Sequence, residues 1–545
     1  MRRPNYPGLV IAILFLVASM SPSLIPRPWP FQCVVSGIVM AAGYGLGTLL
    51  SYLWRRLPFP EPPSRVKMWA WRGLAVLGPL AVVASALIGV RWQRELRGMM
   101  DMPLPAAWGY LAAPVLGLGL AIFLLGAARG IRSLSRRVGA GLARWLPRPV
   151  ATVLGAVLVT VLTVGILDGV VINALFSAAD ETFRLTDQAV AEDLAPPASA
   201  LRSGSPSSLT QWDDLGSKGR VFVADGPALS ELQAFTTALA REPIRVYAGL
   251  ESAQDVRDRA QLVLDELIRT DAFDRSVLCV ITATGTGWVD PLAADALEYL
   301  WAGDTALATL QHSYLPSWAS FLVDSVRARE AGETLFNVIY EYWATQPEAE
   351  RPLLLVFGES LGADGSEAAF SGVADLRNRT DGVLWVGPPN FSELWTFFTE
   401  NRDLGSSELL PVFESGETVR FAAGPADLAG PQAGWASPRV LYLQHPSDPV
   451  VWWSPRLILR QPDWLRQSPG ADVLDDVRWY PLVTFWQISA DLAYAKEVPS
   501  GHGHNYAGLF ADGWAAVAAP PGWSQDDTDR LHALLAAQAD AALTE

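Results

Sequence analysis

The sequence predicts two structural classes in one chain: a polytopic α-helical membrane domain over residues 1–180, and an α/β domain over residues 218–545, with a mostly parallel sheet covered by helices on both faces. Long apolar runs predict the first class, and alternating strand-like and helix-like segments predict the second. Charge separates them as well, because residues 1–180 hold 17 Lys and Arg against 5 Asp and Glu, whereas the remaining residues hold 24 against 51. Residues 181–217, rich in Pro, Ser and Gly, are expected to form a linker.

The composition also limits the partners and cofactors. Nucleic acid is not expected as a partner, because phosphate binding needs a basic surface and the second part of the chain is acidic. The two cysteines, Cys33 and Cys279, lie in an apolar run and in a strand-like segment, with no neighbours at metal-ligand spacing. We therefore expect neither a metal nor another cofactor.

Five apolar runs in the first part are long enough, or nearly so, to cross about 30 Å of hydrocarbon as helices. They lack the polar faces that buried helices of a soluble domain need, so the lipid bilayer is the expected partner. Asp168, in the last run, is either a functional acid or lies near the interface. The runs cover approximately residues 8–25, 31–54, 73–90, 108–128 and 150–176.

Two further features of this part concern its orientation and its helix packing. Thirteen Lys and Arg flank the runs on one side and four on the other. By the positive-inside rule the N-terminus is then cytoplasmic and the α/β domain is outside, even if the first run is a cleaved signal peptide.

"GYGLG", at Gly43–Gly47, lies inside a run, which favours close helix packing over a dinucleotide loop.

The second part alternates short apolar segments with amphipathic ones. A helix is expected around residues 256–267, and one long helical region through "LFNVIYEYWATQ". Apolar strands separated by helices are typical of a parallel sheet buried on both faces. The predicted strands are "GRVFVADG", "PIRVYAGL", "RSVLCVITATGTGW", "PLLLVFG", "GVLWVG" and "RVLYLQH".

A candidate nucleophile follows the strand "PLLLVF". Gly358-Glu359-Ser360-Leu361-Gly362 fits the G-x-S-x-G pattern, and the segment after it can form a helix. This strand–turn–helix context is the one that a nucleophilic serine turn requires. Gly358 and Gly362 remove side chains where the strained turn brings the strand and helix together. The alternative is a tight turn with an incidental serine.

A serine hydroxyl needs a base, and the base needs an orienting acid, in the chain order Ser, Asp or Glu, His. Asp448 fits the acid, because it follows a predicted strand and precedes Pro449, whereas Asp381, Asp403 and Asp427 follow no comparable strand. His502 and His504 share the glycine-rich segment "VPSGHGHNYAG" and are both candidates for the base. The other histidines, expected to be structural or superficial, are His312, His445 and His532.

Acyl transfer also needs donors for the developing oxyanion. One is the backbone N–H after the nucleophile, which here belongs to Leu361. The other is expected in the loop "ITATGTGW", from Thr286, Gly287 or Trp288. No G-K-[ST] follows these glycines, so they do not indicate a phosphate loop.

Six segments resemble the membrane-anchored α/β-hydrolases found chiefly in actinobacteria, which join a multi-span N-terminal domain to an α/β-hydrolase catalytic domain. The resemblance spans residues 21 to 506 and implies a serine hydrolase using Ser360, Asp448 and a histidine of the last segment. His502 is slightly preferred because glycines flank it on both sides. Most members are uncharacterised, so no substrate is implied. The segments are "SPSLIPRPW", "ITATGTGWVDP", "FGESLGADG", "WVGPPNFSELW", "QHPSDPVVWW" and "SGHGHNY".

The expected function is an extracytoplasmic serine esterase or lipase of the cell membrane that acts on an acyl ester or lipid of the envelope. An acyltransferase with the same catalytic residues is the first alternative, and a non-catalytic membrane-anchored binding module is the second. Several aromatic side chains near the predicted site would suit an acyl chain or would pack the core. They are Trp288, Trp385, Phe391, Trp395, Trp452 and Trp453.

Overall fold

The computed structural model describes residues 4–58, 63–165, 187, 194–315, 321 and 325–542. The chain forms two compact units. The first comprises residues 1–179, 455–469 and 473–494, and the second comprises residues 180–454, 470–472 and 495–545. The division differs from the contiguous one expected from the sequence, because the segment between Asp448 and His504 contributes mainly to the first unit.

The first unit begins with five helices. α2, α3 and α4 are each long and apolar enough to cross a membrane, whereas α1 has 14 residues and would extend about 21 Å. The rest of the fifth predicted run, including Asp168, lies outside the described residues. The helices are α1 (Tyr6–Ser19), α2 (Trp29–Trp54), α3 (Ser64–Met99), α4 (Ala107–Leu142) and α5 (Arg148–Gly165).

Large apolar side chains on α3 and α4 face outward. Leu77, Leu80, Val115 and Phe123 are between 60% and 71% exposed. Exposed apolar surface on long helices is compatible with insertion into a bilayer, where lipid would cover it.

Glycines of "GYGLG" allow close packing of α1 against α2. A Cβ added to Gly47 would lie 2.4 Å from the carbonyl oxygen of Pro7, and one on Gly43 would lie 2.9 Å from that of Ile11. The interpretation of this segment as a helix-packing surface is therefore confirmed. The first unit has another helix late in the chain, which packs against Val35 and Val39 of α2 through Val483.

The second unit is an α/β domain. Its strands are β1 (Ile244–Ala248), β2 (Val277–Thr282), β3 (Thr305–Leu310), β4 (Leu353–Glu359), β5 (Gly382–Val386), β6 (Val419–Ala422) and β7 (Arg439–Leu443). The helices from residue 216 onward are α6 (Gly216–Ala224), α7 (Leu229–Phe235), α8 (Val256–Arg269), α9 (Pro291–Leu300), α10 (Ser325–Trp343), α11 (Leu361–Glu367), α12 (Val373–Arg379), α13 (Glu393–Glu400), α14 (Pro449–Trp452), α15 (Val483–Asp491), α16 (Phe510–Ala518) and α17 (Gln525–Ala542), of which α15 belongs to the first unit.

The seven strands form one sheet in the order β1-β3-β2-β4-β5-β7-β6, and every pairing in it is parallel. Nearly all strand residues are buried, as expected for a sheet with helices on both faces. The predicted fold class is confirmed. The segments that follow β2, β4, β5 and β7 leave the sheet at one edge from four adjacent strands, which is where open parallel sheets bind ligands.

Three sequence predictions were wrong in detail. "GRVFVADG" is part of helix α6 and not a strand, since tertiary packing outweighs its β-branched composition. The long helical region is interrupted by β3, and β6 was not predicted. Part of the expected linker is packed into the second unit, where Ser203 is fully buried and donates to Glu266.

Candidate active site

Ser360 stands alone between β4 and α11, in a strained conformation. Its φ is 55° and its ψ is −127°, a combination that persists only where the surroundings impose it. A Cβ on Gly358 would lie 2.4 Å from the Gly362 oxygen, and one on Gly362 would lie 2.2 Å from the Thr282 oxygen. Both glycines are therefore needed where the turn meets α11 and the end of β2.

His504 is paired with Asp448. The His504 Nδ1 lies 2.6 Å from the Asp448 Oδ2, and both side chains are buried. The Asp448 Oδ1 accepts from the backbone N–H of Val450, which fixes the carboxylate at the start of α14. The Nε2 of His504 has no hydrogen-bond partner within the described part of the chain. An imidazole that donates through Nδ1 keeps Nε2 as a proton acceptor.

Ser360 and His504 both lie next to the end of β5. The backbone N–H of Ser360 donates to the Val386 oxygen at 2.7 Å. The next residue, Gly387, lies against the imidazole, because a Cβ there would be 2.5 Å from the His504 Cε1. The segment after β5 thus lies beside both Ser360, which follows β4, and His504, whose partner Asp448 follows β7.

His502 has a different partner. Its Nδ1 lies 3.4 Å from the Asp472 Oδ2, and its side chain is 22% exposed. The Ser447 hydroxyl also donates to Asp472, and it accepts from the backbone N–H of Gly503 at 2.7 Å. The slightly preferred His502 is therefore not the histidine beside Asp448: the loop turns at Gly503, so that His504 pairs with Asp448 and His502 with Asp472.

Two family profiles match the chain. Residues 244–531 match the sequence profile of the alpha/beta-hydrolase family, and residues 20–227 match that of the family's N-terminus. The chain belongs to the alpha/beta-hydrolase family. No curated protein and no solved structure matches it.

The candidate oxyanion donors of this alpha/beta-hydrolase are only partly those expected. Leu361 begins α11, so its buried N–H has no acceptor within the helix. The Gly287 N–H already donates to the Thr284 oxygen at 2.7 Å, which removes Gly287 from the candidates. Thr286 and Trp288 remain, in the loop that follows Thr282, and the Thr282 oxygen lies against the turn after β4 at Gly362.

Tyr506 is a residue of the site that sequence reasoning missed. Its hydroxyl donates to the Asp448 Oδ2 at 2.7 Å and accepts from the backbone N–H of His445 at 3.0 Å. Burial raises the pKa of Tyr506 well above its usual value near 10, so the hydroxyl stays protonated and available as a donor. The segment "HGHNY" places it two residues after His504, but that spacing alone indicates no partner.

The remaining histidines stay outside the acid–base pair. His445 is buried, stacks on Tyr506 at 4.1 Å between ring centroids, and contacts the Gly503 oxygen through Nδ1. Burial lowers the pKa of His445, so its ring is neutral near pH 7. It borders a cavity of about 500 Å³, to which His532 of α17 also contributes. His312 follows β3, and burial lowers its pKa to about 4.

The aromatic residues divide between the core and an exposed cluster. Trp385, Trp395 and Trp452 are at most 2% exposed and pack in the core. Phe391 is 39% exposed and packs on Phe321, which in turn packs on Trp453, with ring centroids 5.1 and 5.7 Å apart. The rings of Phe321, Phe391 and Trp453 are called the aromatic cluster below.

Proposed function

We propose that the protein is a membrane-anchored serine hydrolase of the esterase or lipase type, with Ser360 as nucleophile, His504 as base and Asp448 as orienting acid. The contact that carries the proposal is the 2.6 Å hydrogen bond between His504 and Asp448, next to a serine at positive φ. A buried histidine held by a carboxylate beside a strained serine is the arrangement that activates a hydroxyl for acyl transfer.

The first chemical step follows from these atoms. The Ser360 Oγ attacks the ester carbonyl carbon while the His504 Nε2 accepts its proton. The negative charge of Asp448 stabilises the imidazolium that forms, and the Tyr506 hydroxyl keeps the carboxylate in place. The carbonyl oxygen becomes an oxyanion, which Leu361 N–H and an N–H of the loop after β2 would stabilise.

The second step releases the acyl group. His504 gives its proton to the departing alcohol, which leaves an ester on Ser360. Water then attacks that ester, with His504 again taking the proton, and the carboxylic acid and free serine are formed.

An acyl chain is the proposed recognition element of the substrate. Two residues of the aromatic cluster, Phe391 and Trp453, follow β5 and α14, next to the segments that carry Gly387 and Asp448. Phe391 is exposed and Trp453 partly exposed, so their rings supply apolar surface that an acyl chain would cover. The lipid bilayer that the first unit is proposed to span would supply such substrates.

Acyl transfer is the second candidate. Ser360 is 6% exposed, His504 3% and Asp448 0%. Limited access of water to an acyl-enzyme favours attack by a bound alcohol. With a p-nitrophenyl ester as donor and glycerol as acceptor, a transferase forms glyceryl ester in excess of free acid, whereas a hydrolase forms mainly free acid.

Trapping the acyl-enzyme tests the proposal. We expect a rapidly quenched reaction of the full chain with p-nitrophenyl butyrate to yield a peptide carrying butyrate on Ser360, detected by mass spectrometry. Ser360→Ala should carry none. Turnover without any acylated serine, or equal acylation of another residue, would contradict a serine mechanism, and absence of turnover and acylation would favour the binding module.

The proposed location outside the cytoplasm depends on α5. If α2, α3 and α4 cross with the basic segments inside, residues beyond 194 are outside only if the helix beginning at Arg148 also crosses. Alkaline phosphatase fused after residue 147 should then be inactive and a fusion after residue 220 active. Two inactive fusions would place the α/β domain in the cytoplasm.

A further inference from the structure

We propose that Lys496 is a positioning residue of this site, whose side chain joins the segments carrying the nucleophile, the candidate oxyanion loop and the base. This inference rests on the proposed serine hydrolase function and extends it to a residue outside the three catalytic positions. Lys496 touches neither Ser360 nor His504 and acts through their neighbours.

The link to the nucleophile runs through Glu359. The Lys496 Nζ lies 2.6 Å from the Glu359 Oε1, and Glu359 directly precedes Ser360 at the end of β4. The carboxylate is 3% exposed, whereas the lysine side chain is 44% exposed. A charge-assisted bond at this distance to a buried carboxylate restrains both groups more than a surface pair would.

The link to the candidate oxyanion loop runs through Trp288. The Lys496 Nζ lies 3.9 Å from the centroid of the Trp288 ring, within the range of a cation–π interaction. The Trp288 oxygen accepts from the backbone N–H of Thr284 at 3.0 Å, which closes the loop into a turn. Holding the indole therefore holds the loop that contains Thr286 and Trp288.

The link to the base runs through the backbone. The N–H of His504 donates at 2.8 Å to the oxygen of Ala495, the residue before Lys496. The peptide unit between Ala495 and Lys496 thus holds the His504 main chain and also carries the Lys496 side chain. A shift of Lys496 away from Glu359 and Trp288 would move the acceptor of that hydrogen bond.

Lys496 also acts electrostatically, on the buried carboxyl group of Asp290. Asp290 accepts from the Leu292 N–H at the start of α9, directly after the oxyanion loop. Burial and the charge of Glu359 raise the pKa of Asp290 to about 7, while the Lys496 ammonium lowers it. Without the ammonium the pKa of Asp290 would rise further, and at neutral pH its carboxyl would be protonated and a weaker cap for α9.

The functional consequence is a change in rate without a change in binding. Displacement of catalytic groups by about 1 Å can cost about 100-fold in rate. Glu359 and Trp288, the side chains that Lys496 contacts, are not part of the aromatic cluster, so removal of Lys496 should lower kcat and leave KM nearly constant. Arginine, which can bond to Glu359 and stack on Trp288, should replace it.

The experiment uses the full chain in detergent with p-nitrophenyl butyrate as substrate. We expect Lys496→Met to lower kcat by roughly 10–100-fold with KM within about twofold, and to shift the acidic limb of the kcat/KM profile to higher pH. Lys496→Arg should restore most of kcat and the profile. Lys218→Met, at an exposed position of α6, is the matched control and should change neither.

Glu359→Gln is a second variant, for the case that Lys496→Met misfolds. It breaks the same link between Glu359 and Lys496 without leaving a buried charge unpaired. It should lower kcat to a similar extent. An increase in KM at constant kcat would instead assign Lys496 to substrate binding, and a lower melting temperature with unchanged kcat would make it merely structural. Either result overturns the proposal.

Hydrogen exchange separates this inference from the proposed function. In Lys496→Met, amides of residues 283–289 and 500–506 should exchange at least several-fold faster than in the wild type, and in Lys218→Met they should not. This readout needs no activity. Unchanged exchange in both segments of Lys496→Met would refute the positioning role even if Ser360 is acylated. Faster exchange in a protein that is never acylated would refute the proposed hydrolase function and leave the positioning role intact.

Discussion

Arg27 and Asp491, 464 positions apart in the chain, form an ion pair in which both side chains are fully buried. Asp491 ends α15, which belongs to the first unit although it lies between Asp448 and His504 in the sequence. The guanidinium also donates to Gln32 and Ser23, and the Asp491 Oδ1 accepts from Tyr494. The first unit is therefore built partly from sequence that lies between two proposed catalytic residues, which is more than an anchor requires.

Breaking this pair from one side should destabilise the protein strongly, because an unpaired buried charge remains. We expect Arg27→Met or Asp491→Leu to reduce the free energy of unfolding by about 3–5 kcal/mol, and the double variant to recover much of the loss. Thermal unfolding in detergent measures this. Arg91→Met, which removes an exposed pair with Glu95, is the control. Equal effects of Arg27→Met and Arg91→Met would contradict the assignment.

The nucleophile turn should not tolerate a side chain at Gly362. The alanine Cβ would lie 2.2 Å from the backbone oxygen of Thr282, so β2 or α11 must move. We expect Gly362→Ala to cost about 1–3 kcal/mol of stability and to abolish esterase activity. Gly424→Ala is the matched control, since its Cβ would meet nothing within 4 Å. A fully active Gly362→Ala protein would contradict the described turn.

Tyr506 should contribute to rate through Asp448. Tyr506→Phe removes one of the two hydrogen bonds at the Asp448 Oδ2 and keeps the stacking on His445. A hydrogen bond to a charged group contributes roughly 1.5–3 kcal/mol, so kcat should fall about 10–100-fold. Steady-state kinetics with p-nitrophenyl butyrate measure the change. Wild-type kcat in Tyr506→Phe would show that His504 and the Val450 N–H hold the carboxylate without Tyr506.

Glu367 should make stability fall with rising pH. Burial raises the pKa of Glu367 to about 8 in the folded protein, from the ordinary value of 4.5 for a glutamate. Between about pH 4.5 and 8 the unfolded chain is ionised there while the folded chain holds the proton, so stability is fully present below that window and is lost across it. Glu367→Gln should reduce the decline of the melting temperature between pH 5 and 8. An unchanged decline would contradict the raised pKa.

The sequence predicted the fold class and two of the three proposed catalytic positions for local reasons. Ser360 and Asp448 each follow a buried apolar strand, and strands of that kind are recognisable without tertiary information. β3, with the sequence "TALATL", and β6, with four residues, were missed because small or few side chains carry little periodicity.

The choice between His502 and His504 could not be made locally. Both lie in one glycine-rich loop, and the direction of each ring depends on Gly501 and Gly503, whose φ values are 88° and 52°. The partners, Asp472 and Asp448, lie at least 30 positions away. Lys496 was overlooked for the same reason, since its contacts with Glu359 and Trp288 join residues more than 130 positions apart.

His504, and not His502, is proposed to activate Ser360. The most direct test is the rate of labelling by a fluorophosphonate probe in membranes that contain the wild type, Ser360→Ala, His504→Ala or His502→Ala. We predict labelling of the wild type and His502→Ala and none of Ser360→Ala or His504→Ala. Labelling that survives in His504→Ala and is lost in His502→Ala would contradict the account.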